Sequence, residues 1–114
     1  MAKRHLHSIE RHSYVRADDR LPVQGRIYFS TDESEGTGTV QDVSVGGWGV
    51  RSVHTHVRPG DAVTFFATLP DHQQAVLVDQ AKVCWSRGDD FGLAIGKITV
   101  QDAKRLKGFI FAHL

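Results

Sequence analysis

The chain has 114 residues, 40% hydrophobic and 24% charged, with a formal net charge of +1. That is enough chain for one hydrophobic core and too little for two, and the balanced charge excludes a global field drawing it to nucleic acid or an anionic membrane. The single cysteine, Cys84, excludes an internal disulfide and no apolar run reaches membrane-spanning length, so a cytoplasmic compartment is expected.

Up to about residue 20 no apolar periodicity appears, while Lys3, Arg4, Arg11, Arg16 and Arg20 crowd together. Residues 1–20 are therefore expected to form a flexible basic arm carrying half of a binding site, with residues 21–114 forming the folded domain. From Leu21 onward the pattern alternates with period two. Leu21, Val23, Ile27 and Phe29 oppose Gln24, Arg26, Tyr28 and Ser30, and Thr31–Gly36 reads as a turn. A second run spans Thr37 to Val43, and Trp48, Val50 and Ser52 alternate in a third. After the break at Arg58-Pro59-Gly60-Asp61, Val63, Phe65, Ala67 and Leu69 mark a fourth run, which ends in the turn from Pro70 to Gln74. A fifth carries Leu77, Asp79, Ala81, Val83 and Trp85 on one face and ends at Arg87-Gly88-Asp89-Asp90. The sixth sets Phe91, Leu93 and Ile95 against small Gly92, Ala94 and Gly96. Six short strands joined by turns predict a mostly β protein, a six-stranded antiparallel barrel. Thr99 can cap a final helix, with Asp102 completing an acidic capping box and Ala103, Leu106, Ile110 and Leu114 on its apolar face.

Chemistry that needs a nucleophile and base finds no support. There is no Gly-x-Ser-x-Gly elbow, no P-loop and no paired Cys/His signature, so the chain reads as a binding module and not an enzyme. His5, His7, His12, His54 and His56 lack the partners for a tetrahedral set, so no metal and no cofactor are expected. What stands out is Asp42-Val43-Ser44-Val45-Gly46-Gly47-Trp48, preceded by Glu10-Arg11-His12-Ser13-Tyr14-Val15-Arg16. An ionised Asp42 can accept from the N1–H and N2 amino edge of guanine, which adenine lacks. Ser44 adds a hydroxyl, and Gly46 and Gly47 allow close backbone approach. Arg11 and Arg16 offer planar forks for phosphates and guanine edges, and Trp48 is a candidate to line the same surface. These groups describe a site for an anionic guanine nucleotide.

On these residues the chain resembles the PilZ domain, a bacterial receptor module for cyclic di-GMP. The resemblance runs from about Glu10 to the C-terminal helix and rests on Arg11 and Arg16 upstream and on Asp42, Ser44 and Gly47. His12 stands where the family carries the leading arginine of its Arg-x-x-x-Arg motif. The resemblance implies a six-stranded barrel followed by a helix, with cyclic di-GMP held by Arg11, His12, Arg16, Asp42, Ser44, Gly46, Gly47 and Trp48. It implies signalling through a protein effector, such as a motility, polysaccharide or chemotaxis component, with no nucleic-acid polymer and no membrane insertion. The ligand is expected to bridge the arm and the barrel and so change the arm's conformation. The alternative, prompted by His12, is a degenerate adaptor of the same fold that acts by protein contacts without binding cyclic di-GMP.

Overall fold

The computed structural model describes residues 20–70 and 75–113. Six strands, β1 (Leu21–Ser30), β2 (Glu35–Val43), β3 (Gly47–Arg51), β4 (Ala62–Thr68), β5 (Val76–Arg87) and β6 (Asp90–Ile98), precede one helix, α1 (Val100–His113). The strands close into a barrel in the order β1-β2-β3-β6-β5-β4, every neighbouring pair antiparallel. Closure leaves no sheet edge to pair with another chain. This is the architecture expected from the alternation. β2 begins two residues earlier than the sequence pattern suggests because the turn is tighter. The Thr31 hydroxyl accepts from the Glu33 and Ser34 N–H groups, which lets Ser30 pair directly with Glu35.

The inward faces form one core that includes Ile27, Phe29, Val40, Val43, Trp48, Val50, Phe65, Phe91 and Leu93. Trp48 tilts against Phe65 with ring centroids 5.1 Å apart, and Phe29 meets Phe91 edge-on at 5.4 Å. Helix α1 adds Leu106, Phe109 and Ile110 to this core. Of the positions expected on its apolar face, Leu106 and Ile110 are buried and Ala103 is half-buried, Phe109 joins them, and Leu114 lies outside the described residues. Thr99 caps the helix, its Oγ1 accepting from the Asp102 N–H at 3.1 Å. Asp102 does not return the bond as a capping box. Its Oδ2 instead accepts from the Leu77 N–H at 3.3 Å, tying the helix to the start of β5.

The strands depart from simple alternation at several bulges. An extra residue in one strand reverses which face the following side chains occupy. In β2, Val40 pairs with Val50 and Asp42 with Gly49, so Gln41 is the extra residue. Val40 and Val43 both point inward and Asp42 points outward. In β5, Val83 pairs with Leu93 and Trp85 with Gly92, which makes Cys84 the extra residue. That turns Trp85 outward, and a separate extra residue between Val78 and Ala81, which pair with Phe65 and Val63, turns Leu77 outward, so the face expected for this strand is corrected at both ends. Val76, Val78, Ala81 and Val83 are buried, while Leu77 and Trp85 stand 43% and 44% exposed.

Candidate functional site

The two bulges flank one patch of the outer surface. Across it, Asp42 of β2 pairs with Gly49 of β3, Gly49 with Gly92 of β6, and Gly92 with Trp85 of β5. One row of the barrel thus reads carboxylate, glycine, glycine, indole. The next row places Gly47 opposite Ala94 and Ala94 opposite Lys82. The four residues between the flanking side chains are thus three glycines and one alanine, and they make a floor of small residues of which only Ala94 is exposed.

Both flanking side chains lean onto that floor. A Cβ on Gly49 would sit 2.8 Å from Asp42 Oδ2, and one on Gly92 would collide with Trp85 Nε1. Glycine is required at both places by the space these side chains occupy. Asp42 Oδ1 accepts from the Gly49 N–H at 3.1 Å and from the Arg20 guanidinium, while Oδ2 has no partner among the described residues. The Arg20 side chain is 51% exposed and that of Asp42 34% exposed, so both can be reached from solvent. Exposed pairs of this kind contribute only about 0–1 kcal/mol. At the other end of β3, Arg51 forks onto Asp90 at 2.9 and 3.3 Å, closing the β3–β6 ladder. The Arg51 guanidinium holds the Asp90 carboxyl below the usual carboxylate range.

The residues predicted from sequence divide into three groups. Asp42 lies where a ligand can use it. Ser44 and Gly47 build the turn between β2 and β3. The Ser44 hydroxyl, buried at 1% exposure, donates to the Gly47 carbonyl at 2.7 Å and accepts from the Gly47 N–H at 2.9 Å. Gly47 keeps an ordinary negative φ, and its need for glycine is close approach, because a Cβ would lie 2.9 Å from the Leu93 carbonyl. Gly46 is exposed at the turn, and its carbonyl accepts from the Ile95 N–H at 3.0 Å, fixing the turn on β6. Trp48 must be corrected. It is fully buried, its indole N–H without a partner among the described residues, and it shares no surface with Asp42. Arg11, His12 and Arg16 lie outside the described residues.

Two further residues border this patch without standing out in the sequence. Trp85 is read from sequence as packing, yet it is the half-exposed aromatic beside the floor. Arg20 is counted only among the arm's charges, yet its guanidinium sits on Asp42. The available signal was the run of small residues at 92, 94 and 96, since a strand face without side chains needs a neighbour to cover it or a ligand to use it. No group of three or more metal-ligating side chains occurs among the described residues.

A family model described as the PilZ domain matches residues 11–112. Solved structures with a similar fold include the crystal structure of the PilZ domain of CeSA from a cellulose-synthesizing bacterium. It has 16% identity, covers 82% of this chain and 95% of its own, and gives a TM-score of 0.63. The Bacillus subtilis inhibitor of motility, MotI/DgrA, has 17% identity, covers 82% of this chain and 48% of its own, and gives a TM-score of 0.69. The PilZ domain of Escherichia coli YcgR, solved with c-di-GMP, has 11% identity, covers 82% of this chain and 87% of its own, and gives a TM-score of 0.64. No curated protein matches the sequence.

Proposed function

The chain belongs to the PilZ domain family, whose members are receptors and adaptors for cyclic di-GMP, and on that premise we propose that it binds cyclic di-GMP on the glycine floor between Asp42 and Trp85. One observation carries the reading. A reachable carboxylate with an open oxygen stands at one end of a row of small residues, and a half-exposed indole stands at the other. A guanine can enter above the Asp42 and Trp85 side chains, which already lie over Gly49 and Gly92, because small Gly47 and Ala94 put no long side chain beside them. Asp42 accepts from its N1–H and amino group, and the Trp85 face offers a stacking surface. Ser44 and Gly47 serve this arrangement by holding the turn, while the Gly46 backbone at its tip adjoins the floor. The upstream residues Arg11, His12 and Arg16 supply charge to the phosphates, so that ligand binding draws their segment across the barrel.

Binding, and not catalysis, is the proposed activity, with output through a protein partner. Neighbours that share the fold include an inhibitor of motility and a domain from a cellulose-synthesizing bacterium, so a motility or polysaccharide component is the proposed effector class. Among the described residues no helix is long and apolar enough to cross a membrane, and the cytoplasm is the proposed compartment.

Calorimetric titration with cyclic di-GMP, using cyclic di-AMP as control, tests this reading. Heat is expected with the guanine ligand alone, since adenine lacks the donor edge that Asp42 accepts. Silence with both ligands rejects it. Trp85→Ala is expected to weaken binding roughly tenfold, the scale of one base–aromatic stack. Ligand should also change the fluorescence of Trp85 but not of the enclosed Trp48, which a Trp85→Phe variant separates. An unchanged affinity in Trp85→Ala would remove the indole from the site.

The second reading, a degenerate adaptor, is favoured by His12 at the leading arginine position. An imidazole supplies charge only when protonated, around its ordinary pKa of about 6.5. If His12 contacts phosphate, affinity rises as pH falls through that range, and His12→Arg both tightens binding and removes the pH dependence. Binding that appears only in His12→Arg supports the adaptor.

A further inference from the structure

The Asp42 carboxylate is already engaged. Its Oδ1 accepts two hydrogen bonds, from the Gly49 N–H and from Arg20 Nη1, which uses both lone-pair directions of that oxygen. Only Oδ2 is open. A guanine edge presents two adjacent donors, N1–H and the amino group, and both oxygens are needed to accept them in parallel. Arg20 must therefore leave Oδ1 when such an edge docks, and its guanidinium then needs another anion.

The incoming nucleotide carries one. We propose that Arg20 is a ligand-binding residue that exchanges partners, passing from the Asp42 carboxylate to a phosphate of the nucleotide as the base takes its place on Asp42. This inference rests on the function proposed above and adds to it a residue and a sequence of events. Three observations support it. The Arg20–Asp42 pair is half exposed, and pairs of that kind are worth little, so surrendering it costs little. The Arg20 backbone is placed by the barrel itself: the next residue, Leu21, is buried and pairs with Val43, and Pro22 pairs with Asp42. Ordering a side chain that already lies on the site loses less freedom than recruiting one from a distance. Finally, Arg20 Nη2 lies 3.8 Å from the position a Cβ on Gly47 would occupy, so the guanidinium already borders the floor on which the nucleotide would lie. Its fork suits phosphate oxygens as well as carboxylate oxygens.

The exchange gives Arg20 two opposing effects, competition for Asp42 and attraction for phosphate, and the second is stronger because the exposed Asp42 pair is worth little while the phosphate contact is gained only in the complex. Titration of the full chain with cyclic di-GMP at two salt concentrations tests this with Arg20→Ala and Arg20→Lys. Arg20→Ala is expected to lose about tenfold in affinity and to show a shallower salt dependence, by about one phosphate contact. Arg20→Lys should recover the salt dependence and part of the affinity, because lysine restores the charge without the fork. Both variants should melt near the parent temperature, since neither member of the pair is buried. Equal or tighter binding by Arg20→Ala would make Arg20 a competitor alone and overturn the proposal, leaving the function proposed above intact. Absence of heat from the parent chain would overturn both.

Discussion

Asp42→Ala is expected to reduce cyclic di-GMP affinity by about a hundredfold or more, the largest effect of any single substitution at the surface. The carboxylate offers two acceptor oxygens to two donors, and each such charge-assisted bond contributes about 1.5–3 kcal/mol. Losing about 3 kcal/mol is roughly a hundredfold in the dissociation constant. Asp42→Asn should fail to rescue it. The amide oxygen can still accept from the Gly49 N–H, but the amide nitrogen then faces the guanine amino group, donor against donor. The fold should survive both changes. Removing the exposed Arg20 pair costs about 0–1 kcal/mol, and leaving the Gly49 N–H without its acceptor costs on the order of 1 kcal/mol. Melting should fall by several degrees at most. Undiminished calorimetric affinity in Asp42→Ala would show that the carboxylate does not read the base.

Trp48→Ala should instead strike the fold. The indole is fully buried against Phe65, and truncating a buried tryptophan costs about 3–5 kcal/mol through lost transfer energy and the cavity left behind. Against a total stability of about 5–15 kcal/mol this is a large fraction, and thermal melting should fall on the order of 15 °C. Trp48→Phe should be much milder. It keeps a ring against Phe65 and deletes an indole N–H that has no partner among the described residues. Trp85→Ala, at a half-exposed position, should leave melting nearly unchanged while weakening ligand binding. The two tryptophans thus separate cleanly, one reporting on folding and the other on the site. Equal melting of Trp48→Ala and Trp85→Ala would contradict this division.

That division is the reverse of what sequence suggests, and the cause is local. Trp48 follows the Asp-x-Ser-x-x-Gly turn directly, so proximity in the chain assigns it to the site. On a strand, however, adjacent residues face opposite ways, and a side chain next to Gly47 and Gly49 on the outer face must point inward. Trp85 shares the parity of Val83 and reads as core. One extra residue, Cys84, turns it out onto Gly92. Likewise Asp42 has the parity of buried Val40 until Gln41 bulges and sends it outward.

The fold class, the six strands, the capped C-terminal helix and most of the core are legible in the chain alone. Each of these follows from short-range rules: alternation along a strand, turn residues between strands, and a capping threonine before a periodic apolar face. So are Asp42, Ser44 and Gly47 as a unit, because the turn they build is local, with the Ser44 hydroxyl bonded three residues on. Which residues share a surface depends on how the strands are arranged in space. Arg20 and Asp42 are 22 positions apart, and Trp85 reaches the same floor from β5 only because β3 and β6 pair glycine to glycine between them. Those meetings depend on strand order and on bulges that reverse parity, and a bulge is set by cross-strand pairing that no single strand's pattern contains.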